Sequence, residues 1–140
     1  MEDETKEESQ QPQTFEDLGV SDALRASVEA LGWEQPTPIQ VKSIPTGLAG
    51  SDLVGIAQTG TGKTGAFMLP SLERIETGKG LQVLVLCPTR ELAQQVCDDS
   101  EALAKGTRVR AASIYGGVGY DPQLTALKEG FEVITATPGR

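Results

Sequence analysis

Hydrophobic positions along the chain change rhythm near residue 50. Before it the spacing is helical: Ser21 offers a cap, Leu24, Val28 and Leu31 follow at i, i+4 and i+7, and Gly32 is a natural stop. Thr37 followed by Pro38 marks a second helix start, because proline at the first helical position loses no needed hydrogen bond, and Pro45 is expected to end that helix. Beyond residue 50, four β-rich runs recur: Leu53–Ala57, Val83–Cys87, Val109–Tyr115 and Val133–Ala136. Helical or turn segments separate them. Thr89 precedes a helix over Arg90–Leu103, Asp121 and Pro122 open a short one ending at Gly130, and a helix is expected from Gly62 to Ile75, bent where Pro70 removes a backbone bond.

Strands alternating with helices predict βαβ units. The first two runs are almost continuously apolar, as strands covered on both faces are. The expected fold is therefore α/β, with a parallel sheet in a three-layer αβα arrangement.

Composition adds little to that fold but bounds the function. The 140 residues, 38% hydrophobic, suit one soluble globular domain. The formal charge of -8 is concentrated: Met1–Asp17 carries seven acids and one lysine, leaving -2 for the rest. Residues 1–12 read as a disordered acidic leader. That start has no basic or apolar stretch of a signal or transit peptide, and no run approaches the roughly 20 apolar residues of a membrane span. A cytoplasmic location without membrane contact is expected. Cys87 and Cys97 lack CxxC spacing and there is no histidine, which excludes the commoner Cys/His zinc sites.

The strongest chemical signal is Ala57-Gln58-Thr59-Gly60-Thr61-Gly62-Lys63-Thr64, placed after a predicted strand and before a predicted helix. Glycines there let backbone N–H groups converge on phosphate oxygens, the helix start presents its positive end, Lys63 reaches the outer phosphates and the Thr64 hydroxyl suits a Mg2+ position. The general pattern begins with glycine, and here with Ala57.

Further stretches join this loop. Phe15-Glu16-Asp17-Leu18-Gly19 precedes Gly32-Trp33-Glu34-Gln35-Pro36-Thr37-Pro38-Ile39-Gln40, and Pro88-Thr89-Arg90-Glu91-Leu92-Ala93, Gly116-Gly117 and Thr137-Pro138-Gly139-Arg140 each lie at the end of a predicted strand. Locally these are caps and turns. A glutamine amide offers a donor and an acceptor side by side, matching the N6 and N7 edge of adenine, and an aromatic ring can stack on the base. Strand ends of an open parallel sheet are where ligands bind, and a threonine hydroxyl, free helix-start N–H groups and an arginine suit phosphates.

Taken together, these motifs resemble the DEAD-box ATP-dependent RNA helicases of superfamily 2, from Phe15 to Arg140. In that family Ala57 is the usual head of the phosphate loop. The resemblance implies a RecA-like ATP-binding domain over residues 42–140, incomplete at its C-terminal end, preceded by a Q-motif region over 13–41. It implies that Phe15 and Gln40 select adenine, that residues 57–64 hold ATP and Mg2+, with Lys63 and Thr64 catalytic and Thr64 the metal ligand, and that Pro88, Thr89, Arg90, Gly116, Gly117, Thr137, Pro138, Gly139 and Arg140 hold the backbone of single-stranded RNA or a short duplex, with little sequence preference.

No apolar strand here ends in Asp-Glu, and Asp98-Asp99 lies on a predicted helix. The carboxylates that orient water and metal in that family, and its second RecA-like domain, are missing from these residues. The expectation is an RNA helicase when intact and an inactive piece alone. A DNA-directed superfamily 2 helicase and a non-enzymatic nucleotide- or RNA-binding module remain alternatives.

Overall fold

The computed structural model describes residues 13–140; the acidic leader expected over residues 1–12 lies outside them. The elements run α1 (Asp22–Ala30), α2 (Pro38–Leu48), α3 (Lys63–Arg74), β1 (Val83–Leu86), α4 (Arg90–Leu103), β2 (Ala111–Ile114), α5 (Asp121–Lys128) and β3 (Val133–Ala136). The strands form one parallel sheet in the order β1-β3-β2, with Val83 and Ala111 both aligned on Val133. The chain crosses outward from β1 to β2 through α4 and returns to β3 through α5. Right-handed crossovers in opposite directions place these two helices on opposite faces, giving the layered α/β fold expected.

Local chemistry explains two of the boundaries, whereas Ser21 stands before α1 without a side-chain capping bond. Gly32, with φ +75°, ends α1: its N–H donates to Glu29 O and that of Trp33 to Val28 O, the paired closure that satisfies the last carbonyls of a helix. At the start of α4, Thr89 Oγ1 accepts the Leu92 N–H at 3.2 Å, a cap worth about 1 kcal/mol.

Two expectations need correction. Pro45 does not end α2, which continues to Leu48 with Ala49 N–H still donating to Pro45 O. Its missing N–H affects only the carbonyl one turn back, and close packing on α3 holds the next turn: a Cβ on Gly47 would lie 2.8 Å from the ring of Pro70. That Pro70 sits buried inside α3. The second correction is Leu53–Ala57, which forms no ladder. Val54 and Ile56 are 90% and 91% exposed, and no strand of the sheet lies beside them to accept or donate hydrogen bonds.

The larger of two hydrophobic clusters among the described residues joins the parts. Phe15, Leu18 and Val20 from the turn before α1 meet Leu24, Val28, Ile44, Met68, Leu69, Leu72, Leu103 and Val133. The last residues of the acidic stretch are thus ordered rather than free: Glu16 pairs with Arg25 at 2.7 Å. At the N-terminal end of the sheet, buried Glu132 accepts N–H groups from Gly78 at 3.1 Å and Arg110 at 2.9 Å, tying two loops to β3. Burial alone would raise its pKa, but these bonds and the Arg110 charge outweigh it and hold the carboxyl below the ordinary glutamate value. At the other end, Thr135 Oγ1 donates to Ala93 O at 2.7 Å and fixes the first turn of α4 over β3.

Candidate functional site

The loop before α3 turns on Gly60 and Gly62, with φ +79° and +84°, a backbone shape that L side chains rarely adopt. Thr61 Oγ1 closes the turn on Gln58 O at 2.6 Å. The first intrahelical bond runs from Ala66 N–H to Gly62 O. The N–H groups of Lys63, Thr64 and Gly65 therefore have no backbone acceptor among the described residues and sit at the positive end of the helix. Lys63 is exposed and in no ion pair among the described residues. Free N–H groups and an unpaired cation make an anion site.

A cleft of about 800 Å³ opens beside this loop. Gln40, Thr59, Gly60, Gly62, Lys63 and Thr64 line it, whereas Ala57, Gln58 and Thr61 shape the loop without lining the cleft. Phe15 is elsewhere: it is 6% exposed and borders a neighbouring groove, with its ring centroid 6.5 Å from that of Trp33, which walls both spaces. Gln40, 2% exposed, accepts the Thr37 N–H at 3.0 Å and donates to Gly62 O at 3.1 Å. It thereby ties the start of α2 to the phosphate loop. The contact is tight enough that a Cβ on Gly62 would meet its Nε2 at 2.5 Å. One amide hydrogen and one lone pair remain on Gln40, and beside it the buried Thr37 Oγ1 faces the Gln40 backbone N–H in the capping box that opens α2, too loosely for a full hydrogen bond. Unspent polar capacity at a cleft wall is where a polar ligand edge fits.

The other strand ends gather into a second cleft of about 680 Å³. Pro88, Thr89, Arg90, Gly116, Thr137, Gly139 and Arg140 line it; Gly117 and Pro138 do not. Gly117 still has a role, since with φ +86° it lies against the Arg90 guanidinium and any side chain there would collide with it. Arg90 Nη1 donates to Gly116 O at 3.1 Å, so the turn after β2 steadies the arginine at the start of α4. Two residues not anticipated from sequence hold Arg140 in this wall, Tyr120 lining the cleft and Gln123 buried behind it. Tyr120 lies under the Arg140 guanidinium at 3.9 Å, and Gln123 donates to Tyr115 O at 2.9 Å while accepting from Arg140. Nothing in their spacing marks them, because their role depends on β2 and β3 being neighbours.

The two clefts share a boundary. The chain leaves β1 through Cys87 on the first cleft and reaches Pro88 and Thr89 on the second, and α4 turns Leu92, Gln95, Val96 and Asp99 to the first but Arg90 and Glu91 to the second. Burial and then Asp98 raise the pKa of Asp99. The thiols are unsuited to nucleophilic work: burial raises that of Cys87, and burial followed by Glu101 and Asp98 pushes that of Cys97 up to about 11. Among the described residues no cluster of three metal-ligating side chains exists, and no helix is long and apolar enough to cross a membrane.

Against known proteins, the family described as DEAD/DEAH box helicase matches residues 37–140, from the start of α2 through the strand-end cleft. The chain belongs to the DEAD/DEAH box helicase family. It is 50% identical over 128 residues to the DEAD-box ATP-dependent RNA helicase CshA of Bacillus cereus, an alignment covering 91% of this chain and 24% of that protein. Among solved structures, a DEAD box protein from the hyperthermophile Methanococcus jannaschii superposes with a TM-score of 0.86 at 39% identity, covering 91% of this chain and 35% of the other. The RNA helicase Prp28 from Chaetomium thermophilum, bound to ADP, gives 0.81 at 41% identity, covering 92% and 33%. The DEAD-box motifs thus sit on the RecA-like scaffold that the resemblance implied, and the chain spans about a quarter of the curated relative's length.

Proposed function

We propose that this chain supplies the ATP-binding part of a DEAD-box RNA helicase, in which the phosphate-loop cleft takes ATP and the strand-end cleft takes the sugar-phosphate backbone of RNA. The observation that carries this reading is the boundary shared by two chemically distinct clefts. A single strand-to-helix connection, from Val85 to Asp99, borders both, so ordering one alters the packing of the other.

The free N–H groups of α3 and Lys63 bind the nucleotide phosphates and stabilise charge developing on the transferred group. Thr64, which lines the cleft at the start of α3, would hold the Mg2+ that accompanies ATP through its hydroxyl, with phosphate and water oxygens in other positions. Gln40 reads the adenine edge with its remaining donor and acceptor, beside the Thr37 hydroxyl, and Trp33 is the aromatic side chain that lines this cleft between Gln40 and Phe15. In the second cleft Arg90 and Arg140 carry the charge. Contacts to phosphate alone give little sequence preference. Closure of the intact protein around ATP and RNA would part a short duplex, and hydrolysis would reset it.

The 140 residues by themselves are proposed to bind nucleotide without useful turnover, since no strand end among the described residues presents paired carboxylates. Free, protonated thiols at Cys87 and Cys97 suit a reducing compartment and support a cytoplasmic location.

RNA-stimulated ATP hydrolysis by the intact protein tests the proposal. Single-stranded RNA should raise turnover, and Lys63→Ala should lower it roughly a hundredfold or more. Equal stimulation by DNA would favour a DNA-directed helicase, and retention of more than about a tenth of the rate in Lys63→Ala would count against the phosphate role.

A further inference from the structure

Arg140 leaves the end of β3 and crosses to the turn after β2, where three groups hold it. Its Nη1 donates to Val118 O at 3.2 Å and to Gln123 Oε1 at 3.3 Å, and its guanidinium plane lies 3.9 Å from the Tyr120 ring. Gln123 is itself fixed: it is 8% exposed, and its Nε2 donates to Tyr115 O at 2.9 Å, so its amide cannot flip without losing both bonds. Both hydrogens of Nη1 are thus used. The Nε and Nη2 edge has no partner among the described residues, and Arg140 lines the strand-end cleft. That edge is a planar two-hydrogen fork of the kind that grips a phosphate with two parallel bonds.

We propose that Gln123 and Tyr120 are positioning residues that lock the Arg140 guanidinium so that its free edge takes one RNA phosphate in a bidentate manner. This rests on the reading of the strand-end cleft as an RNA site and adds to it the reason the arginine is effective there. A long flexible side chain loses rotamer freedom when it binds; here that ordering is already done before RNA arrives. Tyr120 remains 61% exposed with Arg140 on one face of its ring, so the ring serves as a support and is not itself part of the buried core.

The test uses the intact protein and a fluorescently labelled single-stranded RNA decamer, with affinity measured by anisotropy over a range of salt. Thermal unfolding is followed alongside. Arg140→Ala should weaken binding about tenfold and flatten the dependence of log affinity on log salt by roughly 0.7, the value of one phosphate on a single strand. Gln123→Met, which keeps the volume and removes the amide, and Tyr120→Leu should each weaken binding severalfold and flatten the same dependence. The double variant Gln123→Met/Arg140→Ala should be no weaker than Arg140→Ala alone. Wild-type affinity in Gln123→Met and Tyr120→Leu while Arg140→Ala is weakened would overturn the positioning role, as would full additivity in the double variant. No effect of Arg140→Ala would refute the RNA reading of the cleft and the inference with it. Should Gln123→Met fail to fold, Tyr120→Leu decides, because its ring is exposed.

Discussion

At the strand-end cleft, Thr89, Gly116 and Thr137 each follow a strand hydrogen-bonded into the sheet, whereas the phosphate loop follows residues 53–57, which belong to no ladder. The strand-end cleft inherits its geometry from parallel register: β1, β2 and β3 end level with one another at Leu86, Ile114 and Ala136. The phosphate loop is placed instead by side chains, through the Gln40 bond to Gly62 and the close approach of Trp33 and Gln40 to Gly65. A site can therefore be shaped by its own turn chemistry even where the strand before it has no partner. The strength of its attachment is a separate matter.

The sharpest way to break this contrast is to truncate equivalent apolar residues in the two segments. Ile134→Ala, in β3 and 2% exposed, should destabilise the chain by about 2–5 kcal/mol in denaturant unfolding. Ile56→Ala should change it by less than about 0.5 kcal/mol. Comparable losses would mean that residues 53–57 are buried in a strand after all.

Acid should act on the sheet side first. Glu132 has its carboxyl held below the ordinary value, so its contribution is fully present above the unfolded pKa and is lost as pH falls through the folded one. The window therefore lies below about pH 4.3. Glu132→Gln replaces one acceptor by a donor facing an N–H group and should cost about 1–3 kcal/mol near neutrality, while removing part of the stability lost between the ordinary glutamate pKa and lower pH. An unchanged acid-unfolding profile in the variant would show that Glu132 does not bear that load.

A smaller effect is expected at the phosphate loop. Gln40→Ala breaks its tie to α2 and should weaken ATP binding by the intact protein about tenfold while narrowing the preference for ATP over GTP, since guanine presents an acceptor where adenine presents a donor. Equal losses for both nucleotides would leave Gln40 as a tether for the loop and remove its base-reading role.

Features that depend on a few adjacent residues were legible in the sequence. The Thr89 cap, the Gly32 stop and the Gly60–Gly62 loop follow from local backbone chemistry and appear where their residues place them. Features that need a neighbour in space were not. Leu53–Ala57 has strand residues but no adjacent strand, and Pro45 is carried through by packing on α3. Gln40 was legible as an amide at the start of a helix, yet half of its capacity goes to Thr37 and to Gly62, the latter a contact spanning 22 residues. Gln123 and Tyr120 meet Arg140 only because β3 lies beside β2, and no pattern along the chain encodes that adjacency.

The central claim, that the strand-end cleft binds RNA and reports to the ATP site across the β1–α4 connection, is tested most directly by the RNA dependence of ATP turnover in the intact protein with Arg90→Ala. Arg90 begins α4 and reaches Gly116 across the cleft. Losing one phosphate contact of about 1 kcal/mol should raise the RNA concentration for half-maximal stimulation roughly fivefold. An RNA dependence identical to that of the unmodified protein, or turnover indifferent to RNA in both, would contradict the account.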